Sequence, residues 1–524
     1  MKLNTKKIIF VAFAFLLIST FWQAYDNLIA KILINKFGLD QFWSGVVMAL
    51  DNIFALFMLP LFGLLSDKTK SKWGRRTPYI FIGTIIAAIA FVGIGLIDQK
   101  QTNYIKDNTA IIEEYNSFKG ENDKLVKTWV LIHDSMKQSV EKTEIGEILA
   151  KSDYTNYTDE TELHIADRFG VKDRYSTYLS NQVWDETKAD MKTFILFILV
   201  LLVALIAMSI FRSPAVALMP DVTIKPLRSQ ANAIINLMGA VGGVLFLIIS
   251  TVLRIGTNSY APYLWVFVSV AAIMIISLSV FLLNVNEVEL VKLKEADDLK
   301  FGITGLEEEL DKKAEDENIN VDKDKRRSLL LILFSVLFWF MGYNAIISKL
   351  SDYAPTMLDM GFAEILLIAN ITAILAFIPI GILSAKIGRK KVVLFGVGLL
   401  TICFTSVIFV TPETNVLMYA VLGLTGIAWA SINVNSYPMV VELSKGDDVG
   451  KYTGYYYAFS MGAQIITPIL SGFLMTYTHF RRAILFPYAA LMTLIALVIF
   501  SFVKHGDIKA ESKQSLLEHF DVED

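Results

Sequence analysis

The sequence predicts an all-α polytopic membrane protein with twelve transmembrane helices in two pseudo-symmetric six-helix bundles. Three observations predict it. Of 524 residues, 54% are hydrophobic and only 19% charged, a balance that a water-soluble chain of this length could not keep off its surface. The apolar residues are gathered into long runs. A loop motif in the first half of the chain recurs in the second.

A helix rises ~1.5 Å per residue, so about 20 apolar residues cross a ~30 Å hydrocarbon core. Runs of that length lie near 8–30, 43–65, 78–97, 193–218, 231–253, 262–284, 328–350, 364–385, 391–411, 416–438, 452–475 and 482–503. The first follows Lys2, Lys6 and Lys7 as a signal peptide would. It is longer than a signal's apolar core and lacks a small-residue cleavage site, so it reads as span 1. Spans 1–3 then occupy 1–97, spans 4–6 occupy 191–284 and spans 7–12 occupy 328–504. Between them lie a polar insert at 98–190, expected to carry a small helical cap, and a charged tether at 285–327, with a tail at 505–524.

Positive charge sets the orientation. Loops on the amino-terminal side carry Lys68, Lys70, Lys72, Arg75, Arg76, Lys225, Arg228, Lys386, Arg389, Lys390, Lys391, Lys445 and Lys451. The opposite short loops carry Lys31, Lys36, Arg254, Lys349, Arg481 and Arg482. Both termini are therefore expected in the cytoplasm and the insert outside, in a multi-pass protein of the cell membrane, plasma or inner. The single cysteine, Cys403, falls inside a span, which leaves no disulfide framework and no thiol metal site.

The internal repeat is explicit. Gly63-Leu-Leu-Ser66-Asp67 before Gly74-Arg75-Arg76 corresponds to Gly381-Ile-Leu-Ser384-Ala385 before Gly388-Arg389-Lys390. Pro220-Asp221 ends span 4 as Val441-Glu442 ends span 10. The second pair is closer in sequence than the first by the length of the insert, so one insertion explains the offset and the halves otherwise run in register. Glycines here permit tight turns and close helix approach, and Asp67 and Asp221 face basic side chains at the membrane edge. Gly63, Asp67, Gly74, Arg75, Arg76, Arg212, Asp221, Arg228, Gly388, Arg389 and Glu442 are accordingly expected to gate the protein through ion pairs that break and reform.

The string from Pro60 through Asp67 and Gly74-Arg75-Arg76 to Pro78 resembles the signature loop of the major facilitator superfamily. From Phe21 to Ile80 it is similar to plant sucrose transporters and their animal relatives of the solute carrier 45 type. Ser213-Pro214-Ala215-Val216-Ala217-Leu218-Met219-Pro220-Asp221, with Arg228-Ser229-Gln230-Ala231-Asn232-Ala233 after it, resembles their Gly-Pro-x-Arg-Ala-Leu-Leu-x-Asp segment and its sequel. The likeness covers most of the first half and implies a sugar:cation symporter of the glycoside-pentoside-hexuronide group. It departs at the ion sites. Val216 stands where those carriers have arginine, Leu205 where they have a coupling aspartate, and Leu59 and Ala55 where melibiose-type carriers have cation-binding carboxylates.

The chain has its own intramembrane carboxylates. Asp26 in span 1 and Asp51 in span 2 are placed by their spacing one to two turns below the external surface. A charge in hydrocarbon costs at least ~2.5 kcal/mol, so such groups face a cavity or a partner. Two of them at similar depth on neighbouring spans repel, which is a proton-coupling device in outline. Asp51, the deeper, is the first candidate.

Sugar hydroxyls need fixed hydrogen-bond partners and their apolar ring faces stack on aromatics, so polar and aromatic residues inside spans are the candidate ligands. These are Trp22 and Gln23 of span 1, Asn232 and Asn236 of span 5, Tyr343 and Asn344 of span 7, and Asn370 of span 8. Asn433 and Asn435 of span 10 and Tyr456, Ser460 and Gln464 of span 11 complete the set. His133, His164, His479, His505 and His519 are dispersed without metal spacing, and no phosphate-binding glycine loop or nucleophile elbow is present. The expectation is a monomeric carrier in a lipid bilayer, not an enzyme, with no cofactor, metal or nucleic-acid partner. Its coupling ion is expected to be H+, with Na+ left open. An exporter of a drug or metabolite on the same fold, or a membrane sensor that binds without turnover, are the alternatives.

Overall fold

The computed structural model describes residues 4–108, 171–224, 227–256, 260–300, 323–443, 449–478 and 480–506. The first half holds α1 (Thr5–Asn35), α2 (Gln41–Lys68), α3 (Thr77–Asn108), α4 (Val171–Ala189), α5 (Met191–Val222), α6 (Arg228–Val252) and α7 (Leu264–Asn284). A linker helix α8 (Glu287–Lys300) follows. The second half holds α9 (Lys323–Met357), α10 (Phe362–Ile387), α11 (Arg389–Ser406), α12 (Leu417–Glu442), α13 (Val449–Tyr477) and α14 (Leu485–Ser501). All but α4 and α8 coincide with helices long and apolar enough to cross a membrane, and among the described residues these number twelve.

Local chemistry starts and shapes these helices. Asn4, Asp40 and Asp190 each accept a backbone N–H near the start of α1, α2 and α5, satisfying donors that a helix N-terminus leaves open. Gly388, at φ 95°, both ends α10 and begins α11 in a backbone conformation that a β-carbon disfavours. Pro60, Pro214, Pro379, Pro438 and Pro468 sit inside spanning helices, where neighbouring helices can re-satisfy the freed backbone groups. Tyr25–Ile29 of α1 forms a π-turn, a wider coil that rotates Asp26 relative to the helix on either side.

The packing repeats with the sequence. In the first half α1 lies on α6 and α7, α3 on α5 and α7, and α2 on α5. The second half mirrors each contact: α9 lies on α13 and α14, α11 on α12 and α14, and α10 on α12. The halves touch along two symmetry-related seams, α2 with α13 and α6 with α10, and also where α1 meets α9. Outward faces present apolar side chains such as Ile89, Trp265 and Leu283, suited to lipid.

The first and last described residues lie at one face, where His505 shares a hydrogen bond with Ser328 at 3.0 Å and Lys7 pairs with Glu289 at 3.6 Å. We call this the proximal face and the opposite one distal. Three expected boundaries shift. The third span does not stop at 97, because α3 runs on to Asn108 and its buried Asp98 binds Lys36 at 2.5 Å and the Tyr263 backbone N–H at 2.7 Å. The insert's described end is α4, which seats on Gly38 so closely that a β-carbon there would stand 2.3 Å from the Ser180 carbonyl oxygen. The tether is partly α8, and span 7 begins in a helix from Lys323. The middle of the insert (109–170), the middle of the tether (301–322) and the tail (507–524) lie outside the described residues.

Lys36 and Asp98 are fully buried, and the Lys36 ammonium also meets the Ala261 carbonyl at 2.7 Å and the Tyr263 ring at 3.5 Å. Removing one partner strands the other, a loss of about 3–5 kcal/mol for a buried pair. We expect Lys36→Met to lower the thermal midpoint of the purified protein sharply, and Lys36→Met with Asp98→Leu to recover most of the loss. A single variant as stable as the parent would remove the pair from the fold's supports.

Candidate functional site

Between the halves lies a cavity of about 850 Å3, within the ~300–1,000 Å3 range of small-molecule sites. Its lining runs from Pro220 near the proximal end of α5, and Tyr456 and Tyr457 near that of α13, to Trp22 and Arg212 at mid-depth. A smaller pocket of about 150 Å3 continues beyond and shares Trp22, Asn52, Arg212 and Gln464 with it. The path stops there. Toward the distal face α2 and α13 close together: a β-carbon on Gly45 would stand 2.0 Å from the Pro468 carbonyl oxygen, and one on Gly472 2.2 Å from that of Gln41. The site is thus a cleft that reaches toward the proximal face and is blind at its distal end.

Both halves line it with polar side chains, the second with Asn370, Asn433, Ser460 and Gln464, and the second adds aromatic surface. The first half contributes Ser19, Gln23, Asn52, Ser213 and Asn236 with Arg212. The second contributes an aromatic wall, in which the Tyr343 and Trp429 rings stack 3.7 Å apart at 4°, with Phe340 edge-on to Trp429 at 5.2 Å and Phe377 nearby. The indole N–H of Trp22 and the amide N–H groups of Asn236 and Asn344, all on residues of the lining, are buried without an acceptor.

The blind end holds the charges. Asp26, Asp51, Asn52, Arg212 and Asn344 line the small pocket together. The π-turn of α1 carries Asp26, and Asn52 donates its amide to Asp51 at 2.8 Å. The Arg212 guanidinium lies over the Trp22 ring at 5.3 Å and acts electrostatically on both carboxylates. Each carboxylate lies nine or ten residues from the distal end of its helix, about 15 Å, deeper than the one to two turns expected. Two negative groups and one positive group therefore occupy one small enclosure.

Most expected ligands converge here. Trp22, Gln23, Asn236, Tyr343, Asn370, Asn433, Tyr456, Ser460 and Gln464 line the large cavity, and Asn344, Asp26 and Asp51 the small pocket. Three placements differ from expectation. Asn435 lines neither cavity: it is buried and donates to the Ser431 carbonyl at 2.9 Å, a bond within its own helix. Asn232, one turn before Asn236 toward the proximal end, is also outside both linings. Arg212, grouped by sequence with the gating charges, sits ten residues from the proximal end of α5 and belongs to the cavity. Trp429, Phe340 and Asn52 are site residues that the sequence reading passed over.

The remaining gating residues form two charge clusters at the proximal face. In the first half Arg76 binds Asp67 at 2.5 Å and Asp221 at 2.9 Å, while Arg75 binds Asp221 at 2.6 Å. Arg228 turns instead to the Pro220 and Thr223 carbonyls, closing the end of α5. The second half repeats the theme with Arg389 and Glu442. Glu287 of α8 completes the first cluster: its carboxylate accepts the backbone N–H groups of Arg75, Arg76 and Thr77 at 2.7, 3.0 and 2.8 Å, together with the Thr77 hydroxyl. Gly74, at φ 104°, lets this happen, since a β-carbon there would lie 2.2 Å from the Glu287 carboxyl carbon. Without Glu287 three donors at the start of α3 lose their acceptor, each worth about 1–3 kcal/mol when buried. We expect Glu287→Ala to raise amide hydrogen exchange at Arg75–Thr77 by roughly tenfold or more. Unchanged exchange there would show that α8 does not cap α3.

Comparison with known proteins agrees with this architecture. The family profile described as Major Facilitator Superfamily matches residues 189–378 and 329–520, and that described as MFS/sugar transport protein matches 10–96. A sucrose transport protein of Arabidopsis thaliana is 34% identical over 62 residues, which is 12% of either chain, so the match covers only a short part of that relative. Among solved structures, a D-xylose–proton symporter superposes with a TM-score of 0.57 at 13% identity, covering 95% of this chain and 98% of the other. A bacterial homologue of the iron transporter ferroportin gives a TM-score of 0.57 at 11% identity, covering 95% and 99%. At such identities the likeness concerns the fold, and carriers of unlike cargo share it equally. Two mirrored six-helix bundles, the repeated proximal charge clusters and family profiles over most of the length identify the chain as a member of the major facilitator superfamily.

Proposed function

We propose that the chain is a secondary active carrier that takes up a disaccharide or other small glycoside together with protons, by alternating access in the cell membrane. The observation that carries this reading is the cavity at the seam: polar side chains from both halves, an aromatic wall on the second, and two carboxylates and an arginine at its blind end. A sugar ring has hydroxyls around its rim and apolar C–H faces, so it matches donors such as Asn236 and Trp22 on one side and the Tyr343–Trp429 stack on the other. The MFS/sugar transport profile and the similarity to a sucrose transport protein support the same substrate class.

Charge arithmetic supports the proton. Asp26 and Asp51 with Arg212 sum to one negative charge, and a single bound proton makes the set neutral. Occluding a neutral set costs far less than occluding a net charge. Proton binding would thus license closure over the sugar. The Lys- and Arg-rich proximal loops support a cytoplasmic proximal face, and on that reading the described state is inward-facing. The proximal clusters Arg75–Arg76–Asp67–Asp221 and Arg389–Glu442 then lie at the cytoplasmic mouth, placed to bias opening and closing. One chain holds a whole cavity, so it would act as a monomer.

Two measurements in proteoliposomes test this. Asp51→Asn mimics the protonated group, so substrate exchange should persist while accumulation driven by a pH gradient disappears. A variant that still concentrates substrate removes Asp51 and leaves Asp26→Asn to be tried. Trp429→Ala should weaken sugar affinity roughly tenfold, the worth of an aromatic stack, with gradient dependence unchanged. Undiminished affinity would place the sugar elsewhere, and concentration against an outward gradient would mark an exporter.

A further inference from the structure

Beyond the blind end, the halves meet at the distal face through a buried charged cluster. The second half supplies Lys349 and Asp352 from α9 and Arg482 from the turn before α14. Asp352 and Arg482 form a two-pronged pair, Nε to Oδ2 at 2.6 Å and Nη2 to Oδ1 at 3.3 Å, and both side chains are almost wholly buried. Lys349 is fully buried beside them. The first half supplies Gln41, the opening residue of α2. Its Nε2 donates to the same Asp352 Oδ2 at 2.7 Å, and its carbonyl oxygen accepts from Lys349 Nζ at 3.0 Å. The Phe42 backbone N–H donates to Thr476 Oγ1 at 3.0 Å on α13.

The division of labour is asymmetric. The ion pair of this cluster lies inside the second half, and each of these seam-crossing bonds has a neutral amide group on the first-half side. Parting the halves here leaves Asp352 and Arg482 together and exposes Lys349 to water, while the bonds that break are ones water can replace. A seam held by a charged pair split between the halves would strand both charges on opening. Asp40, whose charge also acts on Lys349, has its carboxylate engaged with the Trp43 N–H at the start of α2. Arg482 Nη1 also reaches the Thr177 hydroxyl of α4 at 3.4 Å.

We propose that Gln41 is the plug of the distal gate, a neutral side chain of the first half seated in a charged socket of the second, whose release opens the distal side of the carrier. The proposal rests on the alternating-access reading above and adds the residue that sets its resting balance. Gln41 is a positioning residue in this sense: it touches no substrate and acts by holding α2 against α9.

The test uses the full chain in lipid nanodiscs with Cys403→Ser as background and spin labels at two exposed distal positions, Lys100 of α3 and Val416 just before α12. Gln41→Ala removes the bond to Asp352 and should enlarge the longer-distance, distal-open population roughly tenfold, the effect of one lost bond to a charged group. Its melting midpoint should stay within about 3 °C of the parent, since the socket is intact. Asp352→Asn, which strands Arg482 and Lys349, should melt markedly earlier. Parent-like distances in Gln41→Ala overturn the proposal, and so does a melting loss equal to that of Asp352→Asn without a distance change. If the parent transports nothing while Gln41→Ala still lengthens the distance, the carrier reading fails and the plug stands.

Discussion

A full charge in the middle of a bilayer costs at least ~2.5 kcal/mol, and this constraint governs where the ionisable residues of the spans come to rest. Some are neutralised inside one half, as Lys36 is by Asp98. Lys31 is held by the Ile255 and Gly256 carbonyls at the close of α6. Asp352 and Arg482 satisfy each other at the distal seam. Asp26, Asp51 and Arg212 share the blind end of a cavity, with Asn52 donating to Asp51. This last group is hidden from lipid but open to one side.

The two halves copy each other in packing and differ in chemistry. The main packing pairs of spanning helices in the first half have their mirrors in the second, yet the charges of the site come from α1, α2 and α5 while the aromatic wall comes from α9, α10 and α12. A ligand that touched both walls would gain most when the halves approach.

How much of this was legible in the sequence follows from what each signal requires. Apolar runs and glycine spacing are local, and they placed all twelve spans and both proximal clusters. Depth and facing are not local. Asn433 and Asn435 are two residues apart, so they point to different sides of α12, and in a helix apolar all round nothing in the pattern says which side meets the cavity. Arg212 was read with the nearest loop because Asp221 and Arg228 are close in sequence, although ten residues of helix carry it about 15 Å away. Trp429 gave no contrast among apolar neighbours. Gln41 and Glu287 were invisible for another reason: their partners lie 311 and 210 residues away.

The clamp made by Glu287 bears on how the protein is built as well as on how it moves. The donors it receives begin α3, yet the acceptor is found after α7, at the first residue of α8. During synthesis the start of α3 must therefore wait, capped by water or by nothing, until the chain has grown through three further spans. Once Glu287 arrives, the start of α3 is closed by a residue of the segment that follows the sixth span. The linker helix is in this sense the clasp of the first bundle, although α2 still finds most of its packing on α13 of the second.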